Sequence, residues 1–403
     1  MLTPNFDWIN NKEIKFLIKA LSYDKHDFRF VGGCVRDSFL NKTISDFDIA
    51  SNFTPHENIR IIKSLGYNVI PTGIEHGTIS LILNGKPYEI TSLRTDIHTN
   101  GRHAKVVFTK DYFEDAKRRD FTFNALYLCP KTLQITDYFD GLKDLEEGRV
   151  IFIGDARSRI KEDYLRILRY FRFFGIYGIG DMDEKILEII SENSQNINLL
   201  SKERISNEIS KILSQKNPFY ILKQMKHVGV LDNILKTNYD YINKFCNGIK
   251  DEDIVTRVCY IAESKEIDLS KVFLKTKEIR LAKSIISLRD FILYYKVLEF
   301  SEFCKLLVHY GYQEVIGALK CVSFIDDNNR YHYERIIEKI RQRSELEFPI
   351  KGEDLIKLGI AQGEQLGKEI ENLKIIFWQT GNIEKSYYLD VINKNPLYIK
   401  ERG

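Results

Sequence analysis

In the N-terminal part of the chain, apolar positions come in short runs separated by turn residues. The run DFRFVGG reads as a strand ending in a turn, and CVRDSFL, directly after it, opens a helix. SDFDIAS supplies a second strand. In TPHENIRIIKSLG, Pro55 fits a first helical turn and Gly66 closes the helix. TISLILNGKPYEITSL and AKVVFT are strand runs, with NGKP making a hairpin turn. Between them, DIHTNGRHAK is polar, lacks periodicity and reads as a loop. These segments predict an α/β head with a small antiparallel or mixed sheet.

After Arg157 the period changes. Ile160, Tyr164, Ile167, Leu168 and Phe171 form one apolar helical stripe. KERISNEISKILSQ and PFYILKQMKHVGVL continue with the same period, and GEDLIKLGIAQGEQLGKEIENLKIIFWQTG reads as a helical hairpin punctuated by glycine. A shift of this kind marks the border between an α/β head and an all-helical remainder. No internal repeat or low-complexity tract interrupts it.

Composition narrows the class. A chain of 403 residues carries a prior of about two to four domains. With 43% hydrophobic and 29% charged residues it is globular rather than disordered or fibrous. No apolar run has the length to cross a bilayer. The N-terminal MLTPNFDWINNKEIKF lacks a basic region followed by an apolar core, which predicts no secretory signal. Six cysteines are scattered without metal-finger spacing, as expected of thiols in a reducing compartment, and the cytoplasm is the expected location. A net charge of +3 excludes a chain-wide basic coat but leaves room for a local patch facing a polyanion.

The chemistry is concentrated in FRFVGGCVRDSFLNKTISDFDIAS. Asp46 and Asp48 are two residues apart on an expected strand, so their carboxylates would share one face and repel. Such a pair suits Mg²⁺, which takes oxygen ligands and commonly binds one or two carboxylates together with substrate phosphates. Alone, the motif is as well explained by a solvated strand edge. Upstream, Gly32 and Gly33 let the backbone approach a ligand closely, the following helix start offers free N–H groups, and Arg36 is placed to reach the same anion. Together these residues favour a phosphate-plus-metal site over a mere tight turn.

GGxVRD followed by DxD resembles the signature of the nucleotidyltransferase-fold polymerases that act on RNA 3′ ends, the class II tRNA nucleotidyltransferases (CCA-adding enzymes) and bacterial poly(A) polymerases. RRDFTFNAL, DYFDGLKDLEEGRVIFIGD, EDYLRILRYFRF and ERISNE resemble further motifs of that family in its order, and the tail GEDLIKLGIAQGEQLGKEIENL resembles the CCA-adding C-terminal segment. The resemblance implies a polymerase β-like α/β head with a small mixed sheet, then helical neck, body and tail. The expected borders are 1–135, 136–205, 206–320 and 321–403, the last part binding tRNA.

It also implies the chemistry: untemplated addition of C, C and A to the 3′ end of tRNA from CTP and ATP. Two Mg²⁺ ions would be held by Asp46 and Asp48. Glu89, in PYEIT, is the candidate third acid, because related polymerases carry one on a neighbouring strand. Arg118, Arg119 and Asp120, ahead of a strand-like FTFNAL and with Asn124 as a helper, would meet the nucleotide's phosphates and ribose. Asp163, Arg166, Arg169 and Arg172 recur every three residues, a ridge of one carboxylate and three guanidiniums on one helix. An Asp–Arg pair accepts from the amino group and donates to the ring nitrogen of both cytosine and adenine. Uracil and guanine present the reverse order and are rejected. The resemblance gives that role to Asp163 and Arg166, and leaves Arg169 and Arg172 for triphosphate or RNA backbone.

His76, His98 and His103 have no metal-ligand spacing, and no HxxHD-like arrangement announces an appended phosphohydrolase domain. No membrane or protein partner is indicated. Rival readings are poly(A) polymerase, disfavoured by the lack of an IGRRF-like run, and a CC-adding or A-adding relative. CC-adding members lack a flexible loop where this chain has RTDIHTNGRHAKVVF. A non-catalytic RNA-binding protein would have little reason to keep the aspartate pair. Small-molecule nucleotidyl transfer fits poorly with the long helical remainder.

Overall fold

The computed structural model describes residues 2–22, 26–44, 46–100, 103–245, 253–273, 275–296 and 298–394, with backbone alone at 96–100, 103–105 and 245. The chain divides into two compact units, Met1–Gln215 with His227–Asn233, and Lys216–Lys226 with Ile234–Gly403.

The first unit is built on strands β1 (Phe28–Val31), β2 (Asp48–Ser51), β3 (Asn68–Gly73), β4 (Thr78–Leu83), β5 (Lys86–Ser92), β6 (Arg94–Asn100), β7 (His103–Phe108), β8 (Leu126–Leu128) and β9 (Ile135–Asp137). Seven of them form one sheet in the order β3-β4-β5-β2-β1-β8-β9. Only β2 and β5 pair in parallel, so the sheet is mixed, as expected. Its helices are α1 (Lys12–Leu21), α2 (Gly33–Ser38), α3 (Pro55–Ser64), α4 (Tyr112–Lys117), α5 (Gly141–Glu146), α6 (Ala156–Glu162), α7 (Leu165–Tyr177), α8 (Glu184–Asn193) and α9 (Lys202–Leu213). Local signals explain several borders. Thr54 and Glu57 close a capping box around Pro55 at the start of α3. Asn84 and Gly85 both adopt positive φ, 51° and 78°, the twist that a two-residue hairpin between β4 and β5 needs. Under the sheet, Val31, Ala50, Leu93, Tyr112, Ala125 and Tyr127 share one buried cluster.

Four expectations need correction. The polar stretch read as a loop is a β6–β7 hairpin, with Arg94 opposite Phe108 and Asn100 opposite His103. Its backbone pairing does not depend on apolar alternation, because it stands outside the main sheet. The hairpin base is seated where Phe108 passes Gly77, whose absent Cβ would lie 2.8 Å from Phe108 Cε1. FTFNAL is not one strand. Thr122–Asn124 is a 3₁₀ turn, because Asn124 Nδ2 reaches back four residues to Asp120 Oδ1 (2.9 Å), and β8 starts after it. Asp46 lies ahead of its strand, so only Asp48 of the pair is paired in the sheet.

The apolar stripe from Ile160 to Phe171 spans two helices, not one. Asp163 is extended (φ −155°, ψ 105°) and ends α6. The carbonyl of Arg159, which a continuous helix would offer to Asp163, instead accepts from Arg166 Nη1 (2.8 Å). The four-residue ridge therefore holds only for Arg166, Arg169 and Arg172 on α7.

The second unit is helical throughout its described residues: α10 (Phe219–His227), α11 (Tyr239–Phe245), α12 (Ile254–Ile261), α13 (Thr276–Tyr295), α14 (Phe300–Tyr310), α15 (Tyr312–Ile325), α16 (Arg330–Ser344), α17 (Gly352–Lys357), α18 (Glu364–Thr380) and α19 (Lys385–Asn393). Gly317 lets α15 close onto α13, where a Cβ would sit 2.6 Å from Ile285 Cδ1. Ile350, Leu355, Leu373, Phe377 and Tyr388 pack the C-terminal helices together. Cys34, Cys259, Cys304 and Cys321 are buried and Cys129 is half-buried, and Cys246 lies outside the described residues. The side chains of His98 and His103 are also outside them. Among the described residues, no helix is long and apolar enough to cross a membrane.

Candidate active site

The site lies in the first unit, where β1 ends and β2 begins. Antiparallel pairing sets Val31 opposite Asp48, and parallel pairing sets Glu89 of β5 beside Asp48. Residues in register on neighbouring parallel strands project to the same face, so the strand order itself brings the third acid to the aspartates. Partial burial raises the Asp48 carboxyl above its ordinary range, and Asp46 adds to this against the pull of Arg119 and Arg36. Glu89 is raised by burial and then by Asp48 and Asp46. A bound divalent cation would offset the repulsion among carboxylates set this close together. Among the described residues, no three His, Cys, Asp or Glu side chains are gathered into a closed metal cage. An open set of hard oxygen donors fits Mg²⁺, which keeps positions for water and phosphate oxygens.

Gly32 has φ +72°, a conformation that a side chain would strain, and its backbone passes Arg119 Nη1 and the Asn124 carbonyl at Cβ distances of 3.7 Å. The turn at Gly32 thus packs against Arg119 and Asn124 at ordinary contact distance. The helix behind it, α2, is only six residues long, so the positive charge here comes mainly from side chains. A cavity of about 390 Å³ opens over this turn, with Asp46 and Asp48 on one side and Arg36, Arg119, Arg169 and Arg172 around it.

Three of these cations, Arg36, Arg169 and Arg172, are joined by one run of hydrogen bonds and ion pairs through four sequence motifs. Arg36 holds Asp37 with two bonds (2.9 and 3.0 Å) and donates to Asn124 Oδ1. Asn124 donates to Asp120 Oδ1, and Asp120 Oδ2 accepts from Arg169 Nε (2.5 Å). Beyond Arg169 lies the buried Glu208 of α9, 4.0 Å away and bonded at 2.6 Å to Arg172 Nε. Burial works against ionisation of Asp120, but Arg169 overcomes it and holds the carboxyl at about 2. Arg119 is fixed separately by Asp115 and the Tyr127 hydroxyl (3.2 and 3.1 Å). Asp115, 1% exposed, is likewise held at about 2 by Arg119 and Arg118 in spite of burial.

Not every expected residue faces the cavity. Arg118 is turned to Asp115 and does not line it. Asp163 and Arg166 do not line it either. Asp163 accepts from Arg204 Nη2 (2.7 Å), and Arg166 pairs with Glu162 (2.7 Å), so the two side chains are held by other partners. The sequence reading passed over Asp37, Asp115, Glu162, Arg204 and Glu208, although Asp37, Glu162, Arg204 and Glu208 stand inside the quoted motifs. Asp115 and Glu162 are at helical spacing from the arginines they hold and Asp37 is next to Arg36, whereas Arg204 and Glu208 meet partners 41 and 36 residues away and carry no such local signal. Lys211, one turn beyond Glu208 and also lining the cavity, could have been found by helical spacing.

Residues 28–151 match the family described as the poly A polymerase head domain, and residues 181–238 match the probable RNA and SrmB- binding site of polymerase A. The chain is 33% identical over 411 residues to the mitochondrial CCA tRNA nucleotidyltransferase 1 of Homo sapiens, covering 97% of this chain and 92% of that protein. It is 31% identical to the CCA-adding enzyme of Pediococcus pentosaceus, covering 87% of this chain and 89% of the relative. Among solved structures, the Bacillus stearothermophilus CCA-adding enzyme in complex with CTP shares the fold with a TM-score of 0.73 at 22% identity, over 97% of this chain and 98% of the other. The Thermotoga maritima CCA-adding enzyme complexed with tRNA_CCA gives 0.70 at 21% identity, over 95% and 96%.

Proposed function

The chain belongs to the family of CCA tRNA nucleotidyltransferases, and from that premise we propose that it adds C, C and A to tRNA 3′ ends from CTP and ATP without a nucleic-acid template. The observation that carries this reading is the cavity in which the Asp46–Asp48 pair meets four guanidiniums, three of them anchored by buried carboxylates and Arg36 by the half-buried Asp37. In each addition the acceptor 3′-oxygen bonds to the nucleotide's α-phosphorus as the bond to pyrophosphate breaks, and the hydroxyl proton passes to solvent.

Asp46 and Asp48, with Glu89 beside them, would hold Mg²⁺, which when bound lowers the pKa of the acceptor hydroxyl and neutralises phosphate charge. Arg36, Arg119, Arg169 and Arg172 receive the triphosphate, and because their partners fix them beforehand, little reorganisation is needed as charge develops on the leaving group. The bend at Gly32 lets that group approach the backbone. Base choice rests with Asp163 and Arg166. A carboxylate has about four acceptor sites and a guanidinium five donors, so each keeps capacity beyond Arg204 and Glu162.

The β6–β7 hairpin occupies the segment that the resemblance links to terminal A addition, and this supports three-step addition over CC addition alone. We assign the RNA's top half to the helical body and tail, read by shape and phosphate contacts. The scattered spacing of the six cysteines along the sequence suits the cytoplasm.

Incubation of the protein with tRNA lacking its 3′ end, with CTP, ATP or both and Mg²⁺, tests the reading. The expected products end in CC with CTP alone and CCA with both. Long A tracts would replace the reading with poly(A) synthesis, and no incorporation would overturn it. Asp48→Asn should lose activity by on the order of a thousandfold. Its melting temperature should rise, because a carboxylate with a raised pKa opposes folding when charged.

A further inference from the structure

Among the described residues, Phe173 of α7 is the one aromatic side chain that lines the cavity over Gly32. We infer that Phe173 is a positioning residue for the nucleotide's triphosphate, its ring holding the guanidiniums of Arg36, Arg169 and Arg172 in place to receive it. The inference rests on the nucleotidyl-transfer reading above and adds to it a residue that has neither charge nor hydrogen-bonding groups.

A single hydrogen bond at Nε restrains a guanidinium along one direction and does not set its plane. Arg169 and Arg172 are each bonded in this way, to Asp120 Oδ2 (2.5 Å) and Glu208 Oε2 (2.6 Å). Among the described residues, the terminal nitrogens of neither make a hydrogen bond, which leaves those donors to a ligand. The Phe173 ring supplies the second restraint. Its centroid lies 4.0 Å from Arg172 Cζ, 5.2 Å from Arg169 Cζ and 5.3 Å from Arg36 Cζ. All three fall within the ~6 Å over which the negative face of an aromatic ring attracts a cation. Burial pulls the Arg172 guanidinium below its ordinary range in spite of Glu208. One carboxylate therefore does not offset its desolvation, and a ring face beside it adds to the compensation.

The ring is itself held. Phe173 is buried, and Phe121 and Phe123 stand nearly perpendicular to it at 5.4 and 5.5 Å. Helical spacing puts Arg169, Phe173 and Tyr177 on one stripe of α7. Tyr177 extends the platform, with Arg36 Cζ 4.5 Å and Lys42 Nζ 4.3 Å from its ring. Its hydroxyl donates to Asp37 Oδ1 (2.7 Å), the carboxylate that clamps Arg36. The aromatic stripe of α7 thus gathers the cation of the GGxVRD helix beside those of its own. An aliphatic side chain of similar size would fill the same space and offer no negative face.

The test replaces Phe173 in the full chain by phenylalanines carrying one, two and three ring fluorines. These keep the shape of the ring and progressively weaken its negative face. Phe173→Leu, which removes the face altogether, is compared with them. Binding of inorganic tripolyphosphate is measured by calorimetry, and KM is measured for CTP, ATP and tRNA lacking its CCA end. The Kd for tripolyphosphate should rise stepwise along the fluorinated series, to about fivefold at its end, and about tenfold in Phe173→Leu. KM for CTP and for ATP should rise by the same factors, because the phosphates and not the base are held, while KM for tRNA moves less than about twofold. If the fluorinated series binds tripolyphosphate as the parent does, even beside a weakened Phe173→Leu, Phe173 is an ordinary packing residue and the inference falls. It falls too if KM rises for one nucleotide alone, which would tie the ring to the base. A parent chain that does not bind tripolyphosphate rejects the cradle of arginines and with it the functional reading. A parent that binds it and extends tRNA, with an indifferent fluorinated series, rejects the role of Phe173 alone.

Discussion

Asp115 and Asp120 are not among the proposed metal-holding acids, Asp46 and Asp48, yet cations around the cavity depend on them. Each is buried and each holds arginines in place, Asp115 both Arg118 and Arg119, Asp120 Arg169. Both carboxyls lie at about 2, against an unfolded value of about 3.9. A depressed pKa contributes stability that is complete above the unfolded value and is lost as pH falls toward the folded one. Each group should therefore contribute on the order of 2 kcal/mol above about pH 4, disappearing toward pH 2. Urea midpoints measured from pH 6 to pH 2 check this. The parent should weaken steeply in the lower half of that range, and Asp115→Asn, weaker throughout, should show a flatter profile there. Equal slopes would remove Asp115 from the account. At this scale GGxVRD and DxD put the proposed reacting groups within one short stretch, where the sequence alone points to them. The supporting acids were less visible: Asp115 stands at helical spacing from Arg118 and Arg119, but Glu208 meets Arg172, 36 residues away, only through the fold.

Among the elements, α9 shows how a motif without chemistry of its own can govern the site. Arg204 at its start holds Asp163, and Glu208, two turns from the start, holds Arg172 at 2.6 Å. One face of this helix thus restrains both the base-selecting candidate and the phosphate-facing arginines of α7. Glu208→Gln keeps the shape and removes the charge. A charge-assisted bond is worth about 1.5–3 kcal/mol, so the KM for CTP and ATP should rise by about tenfold or more, with the fold retained by circular dichroism. An unchanged KM would mean that Arg172 needs no anchor. Element type was legible wherever burial imposes a period, as in α3, α9 and the β4–β5 hairpin. It was not legible in the β6–β7 hairpin, whose pairing is carried by backbone groups, nor at Asp163, where α6 ends because the side chain of Arg166 takes the carbonyl that would have continued it.

Across the whole molecule, catalytic motifs are confined to the first unit, while residues 235–345 of the second carry none that the sequence reading could name. What holds the second unit is legible only in the fold. Arg289, 0% exposed, donates to the carbonyls of Cys259 (2.6 Å), Ala262 (2.7 Å) and Glu263 (3.3 Å) around the end of α12, and is balanced by Asp290 at 2.7 Å. Helix-terminal carbonyls have no partner within their own helix, and a buried one without a donor is costly. Arg289→Met fills the same space with no donors and should cost the second unit about 3 kcal/mol or more. If that unit grips the RNA and the first binds nucleotide, the full-length variant should show one lowered calorimetric transition, a raised KM for tRNA and an unaltered KM for CTP. A parallel rise in the CTP KM would mean that the helical unit also shapes the nucleotide site. A single transition lowered as a whole would mean that the two units fold as one, and that the division visible in the fold is not a division in stability.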